Sequence, residues 1–227
     1  MMCKSPLLVG IREAGSAWSA VLSQDGDIMF AQTILEQTNR LLREVSVDCE
    51  IPILLLLTGS SGCGKTRLCQ ELKAHIDSSR AVIHHFDSIG VPPPEQMIAE
   101  FGSGEAWQRA KTHEWISRLI EEDKTLVIFE GQYNPHFAAE ALARFEVENW
   151  AMAVVTCEQA IWEQRLRGPR GQAFLITDAM RNWARVLREE TERLGGAVID
   201  TSASDLNANL NDVVRLINTL LEERIKR

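Results

Sequence analysis

Apolar residues gather into five short blocks, at 51–57, 81–86, 125–129, 151–156 and 197–199, with longer mixed stretches between most of them. Short continuous apolar blocks predict strands buried on both faces, and the mixed stretches predict helices that cover them. Such alternation predicts β-α-β crossovers and a parallel sheet with helices on both sides. Ligands of such sheets bind beyond the carboxyl ends of the strands, so the residues that close each block carry the first interest.

Upstream the rhythm is different. "SAVLSQDGDIMF" places Asp25-Gly26 between two apolar stretches, which predicts a hairpin. "AQTILEQTNRLLREV" predicts an amphipathic helix with Ile34, Leu35, Leu41, Leu42 and Val45 near one face. Residues 1–49 thus read as an appendage that either pads the core or meets a partner, and residues 50–227 as the main domain.

Composition narrows the setting. The chain has 227 residues, 45% hydrophobic and 25% charged, enough for one sizeable core. A net charge of -8 argues against a broad surface for extended nucleic acid, because duplex binding needs many neutralising Lys and Arg contacts. Five cysteines without a C-x-x-C pair suggest neither a disulfide framework nor a zinc site and fit a reducing, cytoplasmic setting. The early apolar stretch is broken by Gly10, Arg12 and Glu13, unlike a secretory signal. The block at 51–57 is too short to span a bilayer, so no membrane partner is expected.

The first block of the main domain runs into "GSSGCGKT", residues 59–66. This is the phosphate-binding loop pattern: a glycine, four residues, then Gly-Lys-Thr. Gly59, Gly62 and Gly64 let the backbone curl, so that the N–H groups of Ser60, Ser61, Cys63 and their neighbours can face phosphate oxygens. Lys65 brings a point charge to the β and γ phosphates of ATP. Thr66 supplies a hydroxyl to Mg²⁺, and the following helix points its positive end at the anion. Glu130 closes the third block in "TLVIFEGQYNP", where a carboxylate either organises Mg²⁺ or caps the next helix. A GTPase would carry an N-K-x-D element and an ABC-type motor "LSGGQ", and the sequence has neither.

On these motifs, residues 51–227 resemble the P-loop kinases of small molecules, the group that includes adenylate, shikimate and gluconate kinases. The resemblance implies an α/β three-layer P-loop NTPase fold of the kinase type, with a five-stranded parallel sheet, a short arginine lid and a small-molecule acceptor. In several of these kinases an aspartate just after the second strand faces the acceptor hydroxyl. Asp87, in "HHFDSIGVPPPE", occupies that place, with the prolines stiffening the loop behind it; the plain alternative is an aspartate that bonds its own turn.

The resemblance also implies that Arg165, Arg167 and Arg170, among the helix breakers of "RLRGPRGQ", clamp the transferring phosphoryl, unless they form an ordinary basic helix end. It places Thr201 and Ser202, after the fifth block, beside the base, though strand ends of this composition are also common turns. His84 and His85 alternate across their strand and read as packing, as do Trp107 and Trp115. Arg181, Arg185 and Arg188 either extend the basic rim or belong to a solvated charged face. Gln132 and Tyr133 are weaker candidates for an acceptor or base contact. An NTPase or nucleotide-operated switch would need the same loop but neither Asp87 nor the lid arginines.

Overall fold

The computed structural model describes residues 24–46, 51–168, 171–203 and 205–227, with side chains from Thr33 onward. Its order is α1 (Gln24–Glu44), β1 (Ile53–Thr58), α2 (Lys65–His75), β2 (Ala81–His85), α3 (Pro94–Phe101), α4 (Gly104–Leu119), β3 (Leu126–Glu130), α5 (Pro135–Arg144), β4 (Trp150–Thr156), α6 (Gln159–Arg167), α7 (Asp178–Arg193), β5 (Ala197–Asp200) and α8 (Leu206–Lys226). Short 3₁₀ turns follow β2 at Phe86–Ile89 and precede α7 at Ala173–Leu175.

The five strands form one parallel sheet in the order β2-β3-β1-β4-β5. Every residue of β1 is buried, which explains why its sequence is continuously apolar instead of alternating. Leu55, Leu57, Ile128 and Val155 face a core shared with α2 and α8, while Leu54, Leu56, Val127 and Phe129 face the core built with α4 and α5. Because the chain goes from β1 to the β2 side and later crosses to β4, a crevice opens above the carboxyl end of β1.

The amphipathic helix expected at residues 31–45 forms as the later part of α1, with Val45 just past its end, but the Asp25-Gly26 hairpin does not form: both residues sit in the helix's first turn. Turn-forming residues are equally at home at a helix start, so a local pair of this kind does not discriminate between the two. The earlier arm of the expected hairpin, before Gln24, lies outside the described residues. Leu35, Leu41, Leu42 and Val45 pack with Leu216, Ile217 and Leu220 in the first core. Within that contact the Thr38 hydroxyl donates to Asn218 Oδ1 at 2.7 Å. Asn39 closes the end of α2, donating to His75 O at 2.9 Å and accepting from Asp77 N at 2.8 Å. Leu42 is fully buried, so Leu42→Ala is expected to cost ~2–5 kcal/mol, read as a lower denaturant midpoint at unchanged slope.

Among the described residues no helix is long and apolar enough to cross a membrane. Trp107 and Trp115 are buried in the second core, where Phe86 meets Trp107 edge-on at 6.0 Å and Trp115 Nε1 donates to Phe86 O at 3.3 Å.

Candidate active site

The phosphate loop leaves β1 at Gly59 and enters α2 at Lys65. Gly59, Gly62 and Gly64 adopt φ of 146°, 87° and 105°, a region that residues with a Cβ seldom enter. Gly59 is the most constrained, since a Cβ there would lie 2.4 Å from the Val155 carbonyl oxygen. Gly64 precedes the first turn of α2 without a side-chain cap, and that turn contains no acid, so its N–H groups are left for an anion. Lys65 is buried and its ammonium donates to Gly59 O at 2.8 Å and Ser60 O at 3.0 Å. The charge is thereby held inside the loop.

The loop is braced from outside by the elements that follow β4 and β5. Trp162 Nε1 on α6 donates to Ser61 O at 2.7 Å. The Thr201 hydroxyl lies 2.7 Å from Cys63 O and 3.0 Å from Thr156 O, one proton shared between two acceptors. Arg165 donates to Thr201 Oγ1 at 2.8 Å and Thr201 O at 2.7 Å, and its Nη1 also approaches Cys63 O at 3.5 Å. Ser202 accepts from Glu158 N at 2.7 Å and donates to Asp200 Oδ1 at 2.5 Å. Arg165, Thr201 and Ser202 therefore join α6 and the β5 exit to the phosphate loop. Arg167 points outward to Glu163 at 2.8 Å, and Arg170 lies outside the described residues.

The acids stand across the loop. Glu130 ends β3, in register with Leu57 of β1 and His85 of β2. Its Oε1 accepts from the Thr66 hydroxyl at 3.3 Å and its Oε2 from His85 Nδ1 at 2.6 Å. Asp87 follows in the 3₁₀ turn, one residue after the buried Phe86. A Cβ on Gly131 would meet Phe86 Cβ at 2.3 Å, so the two strand exits run against each other and bring Asp87 beside Glu130. Burial first, and then the negative charge of Glu130, push the Asp87 carboxyl above the ordinary aspartate range; Lys65 and His85 oppose this in part. Among the described residues the Asp87 carboxylate takes no hydrogen bond from its own turn, which that turn closes instead through Gly90 N to Asp87 O at 3.0 Å.

Thr66 and Glu130 bring a hydroxyl and a carboxylate oxygen together at 3.3 Å, the hard oxygen type that Mg²⁺ prefers. Among the described residues no three His, Cys, Asp or Glu side chains converge as a closed metal site.

Other candidates divide. Tyr133 is fully buried, stacks on Phe129 with centroids 4.8 Å apart and donates to Phe129 O at 3.1 Å; burial drives its phenol well above the ordinary value. It is a core residue. Gln132 has its main-chain carbonyl held by Gln108 Nε2 at 3.2 Å, and its side-chain Nε2 lies 3.6 Å from Met180 Sδ. Arg185 and Arg188 pair with Glu189 at 2.5 Å and Glu192 at 3.2 Å on the exposed face of α7. Their helix also walls a cavity of about 270 Å³ beside Ser60 and Trp162.

His85 is the residue whose contact the sequence concealed. Adjacent strand histidines read as packing, yet they point to opposite partners: His84 Nε2 lies 2.6 Å from Glu122 Oε1, and His85 reaches Glu130. Only the pairing of β2 with β3 reveals this.

The parallel sheet, its helices on both sides and the phosphate loop together define the fold of the P-loop kinases. Solved structures that share it include polyphosphate kinase 2 from Arthrobacter aurescens TC1, with a TM-score of 0.55 and 11% identity over 95% of this chain and 87% of that one. A gluconokinase from Sinorhizobium meliloti 1021 aligns with a TM-score of 0.53 and 13% identity over 77% and 97% of the two chains. Thymidylate kinase from Candida albicans gives 0.51 and 11% over 77% and 94%. At these identities the likeness is one of fold. No family model and no curated protein matches the sequence.

Proposed function

We propose that the protein is an ATP-dependent phosphotransferase that moves the γ-phosphoryl group to a hydroxyl of a small molecule. The observation that carries this reading is the placement of Asp87 and Glu130 in one crevice with Lys65 and Thr66, the acids opposite the phosphate cradle. The loop N–H groups and Lys65 hold the phosphates. Thr66 and Glu130 would hold Mg²⁺, which would supply charge neutralisation on the transferring phosphates. Asp87 accepts the proton of the acceptor hydroxyl as its oxygen bonds to the γ-phosphorus and the bond to the β-phosphate oxygen breaks, releasing ADP. Little covalent chemistry is asked of the protein; alignment and charge placement do most of the work.

Arg170 is assigned to the transferring phosphoryl and Arg165 to the brace that keeps the loop in shape, while Arg167 stays paired with Glu163. Thr201 and Ser202, at the β5 exit, are assigned to the edge of the base site. A second reading has its own support: Arg165 and Arg167 are both engaged by protein partners, which suits an NTPase or a nucleotide-operated switch that needs no arginine on an acceptor.

Incubation with γ-¹⁸O-labelled ATP, Mg²⁺ and a panel of sugar acids, nucleosides, nucleotides and polyphosphate separates the two. A labelled phosphoester or extended polyphosphate, found by mass spectrometry, is the expected result; a polyphosphate product would move the acceptor from a hydroxyl to a phosphate oxygen. Labelled inorganic phosphate as the only product across the panel and a metabolite extract would favour the second reading.

A further inference from the structure

We propose that His85 is a positioning residue for Glu130: its Nδ1–H fixes the carboxylate so that the other oxygen faces Thr66 and the cation of the bound nucleotide. This inference rests on the phosphotransferase reading of the crevice and extends it to a residue outside the phosphate loop and the two acids.

The geometry is specific. Glu130 is almost out of water, with its side chain 7% exposed, whereas the His85 ring is 46% exposed. A residue that exposed contributes little to a core, so packing does not explain its place at the strand end. A carboxylate oxygen only accepts, so His85 Nδ1 carries the proton of the 2.6 Å bond. The bond from Thr66 to the opposite oxygen is longer, at 3.3 Å. The shorter contact therefore sets the rotation of the carboxylate, and the longer one is the side left open to a ligand.

Strand pairing makes the contact dependable. β2 and β3 run parallel in register from Ala81 opposite Leu126 to His85 opposite Glu130, on strands ~4.8 Å apart. Side chains opposite one another in neighbouring strands leave the sheet on the same face, so His85 and Glu130 share one face and His84 occupies the other, near Glu122 and Trp115. A one-residue slip would exchange the two histidines and leave Glu130 without its donor. Groups that orient metal-organising carboxylates in this way typically change metal affinity or activity by ~10–100-fold when removed.

The test uses Mn²⁺ as a spectroscopic stand-in, titrated into the full chain with ADP and followed by electron paramagnetic resonance. ADP binding without metal is measured in parallel by calorimetry. His85→Leu is expected to weaken Mn²⁺ binding to the ADP complex by ~10–100-fold while metal-free ADP affinity stays within about twofold. His85→Asn, whose amide donates from nearly the Nδ1 position, is expected to recover most of the loss. Leucine binding Mn²⁺ as the wild type does would overturn the proposal, and so would asparagine no better than leucine in a variant that still binds ADP. Wild-type protein that binds no ADP would overturn the nucleotide reading itself. Wild type that binds ADP but gains no affinity for Mn²⁺ would overturn the metal role of Thr66 and Glu130, and with it that of His85.

Discussion

Lys65→Ala is expected to lower phosphoryl transfer by about 10³-fold, the scale of losing a preorganised charge aimed at the transferring group. Two effects combine. In the proposed complex the ammonium supplies positive charge beside the β and γ phosphates, from a buried position where a charge acts more strongly than at the surface. It also donates to the carbonyls of Gly59 and Ser60, holding the loop's own dipoles together before any ligand arrives. Alanine leaves those two acceptors short of a charged donor at about 1–3 kcal/mol each where water does not replace it, so a lower melting temperature accompanies the kinetic loss. Arginine is not a conservative rescue, because a planar guanidinium does not fit where a compact ammonium is buried between two carbonyls. Steady-state turnover and ATP calorimetry on the same preparation check the prediction, and full activity in the alanine variant would remove the basis for the proposed function.

What the sequence made legible follows from how local each signal is. The five apolar blocks correspond to β1 to β5 because a strand buried on both faces must be apolar throughout, whatever its neighbours. The phosphate loop was legible because its glycines and Lys65 act within eight residues of one another. Asp25-Gly26 failed as a turn because such a pair is compatible with both a hairpin and a helix start, and the helix continues into residues that pack on α8.

His85 was hidden for a different reason. Its partner is 45 residues away, and the contact exists only because β2 pairs with β3 at the sheet's edge, an order that no local pattern states. Arg165 was likewise legible as a cation beside a helix break, but its bonds to Thr201 depend on β5 lying next to β4. A candidate site assembled from several strand ends is thus read residue by residue in the sequence and contact by contact only in the fold.

Asp87→Asn is expected to lower kcat by ~10²–10⁴-fold with ATP affinity nearly unchanged, since general-base catalysis is worth that much and the substitution keeps the shape of the side chain. The pH dependence provides an independent check. Burial and the charge of Glu130 disfavour ionised Asp87, so its carboxyl titrates above the ordinary aspartate range. A base works only when ionised; kcat of the wild type should therefore fall, as pH is lowered, earlier than an ordinary aspartate would allow, and the asparagine variant should lose that limb.

The same shift carries a stability consequence of opposite sign. A carboxyl whose folded pKa is raised binds its proton more tightly in the native state, so at neutral pH its ionisation works against folding. That cost disappears as pH falls through the raised value. Asparagine removes the charge and leaves the shape, so at neutral pH the variant should be as stable as the wild type or more so while its turnover collapses. Denaturant unfolding of the two proteins at neutral pH reads this directly. A clear loss of stability in Asp87→Asn would mean that the carboxylate holds the turn after β2 together, and the role of Asp87 would then be structural.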